Sequence, residues 1–299
     1  MSLSTTDMLP IRDVSRVTGV NAVTLRAWER RYGLIKPHRT PKGHRLYTQD
    51  NVAQIQHILS WLNRGVAVGQ VKALLNSPSN TPVSEEDSPW RATRAQFMDA
   101  LLSFDTARFD QLYNQSMAAY PTATVCSQLL QPVLDQLQQR WQGQFGSHLE
   151  EVFIHTRLRT KMATRIYQNN CHLNAPPVVI ASLSNEHCEP GMWLLAAMLS
   201  ADSYRVDTLE WEVPASELTL LADRTNPQAL VLFSSQAVPA HQLRRHLPKL
   251  VQNHSMRIFV AGHAAVIHAQ EWQAMGVGIL SEQTILAHSI LLDRLRISA

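Results

Sequence analysis

Between residues 76 and 89 the chain reads NSPSNTPVSEEDSP: three prolines, four serines and three consecutive acids. Proline withholds a backbone donor, and so polar a run buries too little apolar surface to offset the entropy of ordering it. The stretch is expected to be a linker over 77–89. The polypeptide must then fold in parts, a head before the linker and a body after it. At 299 residues it is long enough for two or three domains with sizeable cores. Charge divides at the same place. Residues 1 to 75 hold 11 Lys and Arg against 4 Asp and Glu; the remainder holds 16 against 20, so a head of +7 precedes a body of −4. That asymmetry points to a polyanion as the partner of the head, a nucleic acid before an anionic membrane surface.

The rest of the composition is that of a soluble protein, 45% apolar and 17% charged. No run of 18 apolar residues appears, so no membrane partner is expected. The opening MSLSTTDMLPIRDV lacks the basic-then-apolar layout of a secretory signal. Cys126, Cys171 and Cys188 are odd in number and show no metal or disulfide spacing, so they are expected to be reduced thiols in a cytoplasmic protein.

Within the head, IRDVSRVT suits a short helix ending at Gly19, and Asn21 is placed to cap a second helix that stops at Gly33. Two helices around a tight Gly-containing turn make a helix-turn-helix. LIKPHRTPKGHRLYT then reads as a hairpin with a basic tip, and Thr48 or Asp50 caps a longer helix ending at Gly65. The second helix, with Val23, Leu25 and Ala27 assigned to the core, would expose Arg26, Arg30 and Arg31. Its first turn, with Thr24, would meet base edges in a major groove. Tyr32, Lys42, His44, Arg45 and the Tyr47 hydroxyl are expected along the adjacent phosphates.

These residues carry a resemblance. IRDVSRVTGVNAVTLRAWERRYGL, followed by GHRLYTQDNV, resembles the N-terminal winged helix-turn-helix of the MerR family of transcriptional regulators. The resemblance implies DNA contacts from Arg26, Arg30, Arg31, Arg45 and Tyr47, and a dimer reading an inverted repeat in double-stranded promoter DNA. The long helix that joins many MerR dimers is replaced here by the proline-rich linker, so the body must contribute to self-association.

From 90 to 172 four helical patterns follow, enough for a bundle. After NAPP the rhythm changes: VVIASL, YRVDTLEW, ALVLFSS, RIFVAG and VGIL are short β-branched runs, separated by MWLLAAMLSAD, PAHQLRRHLPKLVQ and HAQEWQAM. Strand alternating with helix predicts a parallel doubly wound, flavodoxin-like sheet over 173–299, with ligands beyond the C-terminal strand ends. The fold class is therefore multidomain: an all-α winged helix-turn-helix head over 1–76, a four-helix bundle over 90–172 and an α/β domain. His241 and His246, five apart, are expected on different sides of their helix and in solvent.

Bundle followed by sheet resembles the cobalamin-binding module of the CarH and LitR type of regulator, or its degenerate MlrA and BluR relatives. The motif of that module implies His187 in NEHCEPG as the ligand to the cobalt of an adenosylcobalamin, with Asn185 where a carboxylate is usual and Pro190 where a glycine is usual. Ser234 loosely matches its serine, and Ala261-Gly262 its double glycine. Trp141 and Glu151 match the bundle signature, with Trp141 capping the upper corrin face, but Val152 stands where that signature has histidine.

No phosphate-cradling glycine loop, nucleophile elbow, carboxylate pair or zinc spacing occurs, so no enzyme is expected. Three readings stay open: a regulator whose body senses cobalamin; a regulator whose cofactor-free body passes on the signal of a protein partner; and a corrinoid carrier of a methyltransferase system.

Overall fold

The structure is a computed structural model, and it describes residues 8–75, 89–142, 146–184, 189–252 and 256–296. The expected linker (but for Pro89) and the loop with Asn185, His187 and Cys188 lie outside the described residues. Among the described residues, no helix is long and apolar enough to cross a membrane. The chain divides into two compact units, Met1–Glu151 and Val152–Ala299.

The first unit opens with β1 (Leu9–Pro10) and α1 (Ile11–Thr18), then α2 (Ala22–Ala27), which a single π-turn over Trp28–Tyr32 prolongs. Asn21 caps α2 as expected, its side-chain oxygen accepting the Thr24 N–H at 2.9 Å. Gly33 ends the helix in the left-handed region at φ 58°, where a side chain would be strained. A hairpin of β2 (His38–Arg39) and β3 (Arg45–Tyr47) forms the wing, and β1 adds a third antiparallel strand in the order β1-β3-β2. Two-residue β1 carries no alternation to read in sequence. Helix α3 (Gln49–Asn63) begins in a reciprocal cap between Thr48 and Asn51, and α4 (Val68–Leu74) closes the head. Val14, Leu25, Trp28, Leu34, Tyr47, Ile55, Ile58 and Leu62 form one buried cluster.

That cluster extends past the linker to Ala119. Helices α5 (Pro89–Leu102) and α6 (Thr106–Ala119) are followed by a third helix in three pieces, α7 (Thr122–Val125), a π-turn and α8 (Gln131–Trp141). At the end of α6 the Trp28 indole donates its Nε1–H to the Ala119 carbonyl at 2.9 Å, in a buried setting. The neighbouring Tyr120 hydroxyl accepts the Val68 N–H at 3.3 Å, and its ring lies 4.5 Å from that of Trp90. Burial raises the Tyr120 hydroxyl above the usual phenol range, against the opposing effect of the Val68 N–H. Head and bundle thus share one core.

The last bundle helix, α9 (Ser147–Asn170), runs across the division at 151 between the two compact units. Its C-terminal half is held by the sheet domain. The Asn170 amide bonds both backbone groups of Val206, at 2.7 and 3.1 Å. Arg159 pairs with Glu210 at 2.6 Å and stands 5.6 Å over the Trp193 ring.

The second unit is the expected parallel sheet: β4 (Val178–Ser182), β5 (Val206–Leu209), β6 (Ala229–Phe233), β7 (Arg257–Ala261) and β8 (Gly278–Ile279), in the order β5-β4-β6-β7-β8. Strand order reverses at β4, so the switch point lies between β4 and β6. Helices α10 (Pro190–Ala201), α11 (Ala215–Thr225), α12 (Leu247–Gln252), α13 (His263–Ile267), α14 (Ala269–Met275) and α15 (Thr284–Arg296) cover the faces. The sequence reading passed over α11 and α13. His241 and His246 are exposed as expected but not on different sides: the i to i+5 winding of a π-turn over Gln242–His246 brings their rings edge to face, 6.2 Å apart.

Candidate nucleic-acid interface

The orientation of α2 follows from what it buries. Thr24, Leu25 and Trp28 are all fully buried, so Val23, Arg26 and Arg30 line the opposite, outward face. Arg31 is exposed beside them, and Lys36, Lys42 and His44 continue the basic surface from helix to wing tip. This is the expected arrangement of charge.

Five expectations need correction. Thr24 is 0% exposed and its hydroxyl has no hydrogen-bond partner, whereas Val23, assigned to the core, is 60% exposed. Apolar spacing alone placed the helix about one position out of phase. Tyr47 is also fully buried, its hydroxyl likewise without a partner, and burial pushes that hydroxyl above the ordinary phenol range. It is a core residue and not a phosphate donor. Tyr32 packs half-buried against the same core. Arg45, the first residue of β3, is only partly exposed, and its Nε donates to a Glu29 oxygen while Arg39 donates to the other at 2.7 Å.

Glu29, the single acid between residues 24 and 49, was missed as a functional residue. Its carboxylate ties both wing strands to the end of α2. Burial pushes the carboxyl up, but the hydrogen bonds from Arg45 and Arg39 outweigh it and hold the group below the usual carboxylate range. The wing is therefore set at a fixed angle to the helix, which two elements meeting one duplex require.

In the second unit the residues matched to the cobalamin motif are engaged by the protein itself. Ser234 is buried, and its hydroxyl both donates to the Gln236 carbonyl and accepts the Gln236 N–H, each at 3.0 Å. Gly262, at φ 82°, leaves its missing side-chain space to the chain: a Cβ there would stand 2.3 Å from the Ser234 carbonyl oxygen. A Cβ on Gly191 would meet the Phe233 ring at 2.6 Å. Glu189 is 2% exposed and accepts the Ser235 N–H at 3.0 Å, across the switch point. In the bundle, Trp141 is half-buried and donates its Nε1–H to Glu150 at 3.3 Å, a carboxylate that also holds Arg140. Glu151 stands beside His148 at 3.8 Å, and Val152 is 50% exposed. Ser234 and Glu189 thus bond within the chain, and Val152 stands where the matched bundle signature has histidine.

Two family models match the chain. Residues 9–78 match the MerR HTH family regulatory protein model, and residues 93–166 the B12 binding domain model. The chain is thus similar to a MerR-type helix-turn-helix head over 9–78 and to a B12 binding domain over 93–166. Among similar proteins, the HTH-type transcriptional regulator MlrA of Salmonella typhimurium (strain SL1344) is 37% identical over 128 residues, 43% of this chain and 51% of that one. The HTH-type transcriptional repressor CarH of Myxococcus xanthus is 26% identical over 291 residues, 90% of this chain and 93% of that one. The chain thus spans about half the length of MlrA, and nearly all of CarH. These homologues are transcriptional regulators and not enzymes. Among solved structures, the monomethylamine corrinoid protein of Methanosarcina barkeri superposes with a TM-score of 0.49 at 13% identity, over 68% of this chain and 99% of that one.

Proposed function

We propose that this protein is a sequence-specific transcriptional regulator of the cytoplasm that grips promoter DNA with α2 and the wing, as a dimer or higher oligomer. The observation that carries the reading is the outward line of Arg26 and Arg30 on α2, continued by Lys42 and His44 on a wing that Glu29 fixes in place. Arginines at this spacing reach successive phosphates or pair with guanine edges. Titrating a labelled duplex of the chain's own upstream region with salt tests it. Affinity should fall linearly on a log-log plot, and a flat response would refute the reading.

The body is the sensor, and it works without cobalamin, passing on the state of a protein partner. The internal hydrogen bonds of Ser234 and Glu189 support this. A second reading, in which the body holds adenosylcobalamin, draws on the B12 binding domain match and on His187 in NEHCEPG. In that case His187 and Trp141 would be the residues that hold the corrinoid, as the resemblance to cobalamin-binding modules implies. The corrin would supply a metal-bound, light-sensitive ligand bond, and Trp141 would exclude water. Incubating the protein with adenosylcobalamin separates the readings: a colourless protein after desalting supports the first, a red one the second, and His187→Ala would then remove the colour.

A further inference from the structure

We propose that Val23 is a base-reading residue of the head, and that it reads the methyl group of a thymine. The inference rests on the DNA-binding reading above and goes beyond it by naming a residue and a base. Val23 lies in the first turn of α2, the part of a recognition helix that approaches base edges when the helix enters a major groove. It is 60% exposed, while Leu25 and Trp28 fix the other face of the helix in the core. Arg26 and Arg30 follow it on the same outward face, one and two turns on. Val23 therefore carries an apolar side chain at the head of a basic line, where an apolar group on a groove floor would bury it. In B-DNA that group is the C5-methyl of thymine, the one apolar feature of the major-groove edge. The Thr24 hydroxyl, buried and facing inward, has no access to the same groove.

Charge complementarity selects the occupant. The neighbours of Val23 on this face are cationic, and a protein partner seated there would have to be acidic and apolar at once. A thymine in a duplex supplies both, phosphates on the rim and a methyl on the floor.

The test uses the full chain. Duplexes enriched from a random pool by the protein are resynthesised with deoxyuridine in place of each thymine in turn, which removes the methyl and leaves pairing intact. Wild-type protein should lose about fourfold in affinity at one thymine per half-site, the effect of leaving one methyl-sized apolar contact unmade. Val23→Ala should bind the thymine duplex about that much more weakly and lose its sensitivity to deoxyuridine. An unchanged melting temperature for Val23→Ala, expected for so exposed a site, keeps the comparison clean. Uniform indifference of the wild type to deoxyuridine overturns the role of Val23 and leaves DNA binding standing. Failure to enrich any duplex overturns both.

Discussion

The outward face of α2 and the switch point of the sheet make an instructive pair. Both were marked in the sequence by motif residues, and both are built on rigid elements. On α2 the marked side chains are basic and point to solvent, Arg26 and Arg30 among them. At the switch point they are turned onto the chain itself: the Ser234 hydroxyl closes its own turn, the Gly262 gap is taken by a carbonyl, and Glu189 bonds Ser235. The head thus presents exposed cations to solvent, while the marked residues at the switch point bond within the chain.

Substitutions sharpen the contrast. The largest effect should come from the joint between head and bundle. Trp28→Ala removes a fully buried indole and should destabilise the first unit by about 3–5 kcal/mol, lowering its melting temperature by roughly 10 °C. Trp28→Phe keeps most of the volume but leaves the Ala119 carbonyl without its donor, and should cost about 1–3 kcal/mol. Thermal denaturation followed by circular dichroism measures both. An unchanged Trp28→Phe would mean that the indole bond to Ala119 contributes nothing to the shared core.

Next comes the wing. Glu29→Gln should loosen β2 and β3 from α2 and weaken DNA binding without removing a cation. The same contact sets a pH limit. The folded Glu29 carboxyl lies below its unfolded value of about 4.3, so its stabilising effect is complete above that pH and fades as pH falls through the lower folded value. Chemical denaturation between pH 6 and 3 should show this loss in the wild type and not in Glu29→Gln. Smaller still, Ser234→Ala should cost about 1 kcal/mol through its turn and leave DNA affinity unaltered. Last, Thr24→Val exchanges an unpartnered buried hydroxyl for a methyl and should be neutral or stabilising by up to about 1 kcal/mol. A tenfold loss of DNA affinity in Thr24→Val would restore Thr24 as the base reader and remove Val23 from that role.

Much of this was legible in the residues. Gly19 and Gly33 bounded the helices, Asn21 and Thr48 capped them, and five β-branched runs marked five strands. What escaped had physical reasons. Helix α13 is only five residues long, too short to show a helical period. The phase of α2 was lost because Ala22, Val23, Leu25 and Ala27 are all apolar, and only the burial of Trp28 against Ala119, 91 residues on, decides which of them face inward. Arg45 looked like a phosphate ligand because its partner Glu29 is 16 residues away and on another element. The division of α9 between two units was also invisible, since the Asn170 contacts that hold its end are made to a strand 36 residues later.

The central claim is that α2 and the wing form one phosphate-gripping face. Its most direct test is the salt dependence of DNA binding by the full chain and by Arg30→Ala. The account predicts a steep linear fall of log affinity with log salt, with the slope reduced by about one in the variant. A variant with the wild-type slope, or a wild type whose affinity ignores salt, would contradict it.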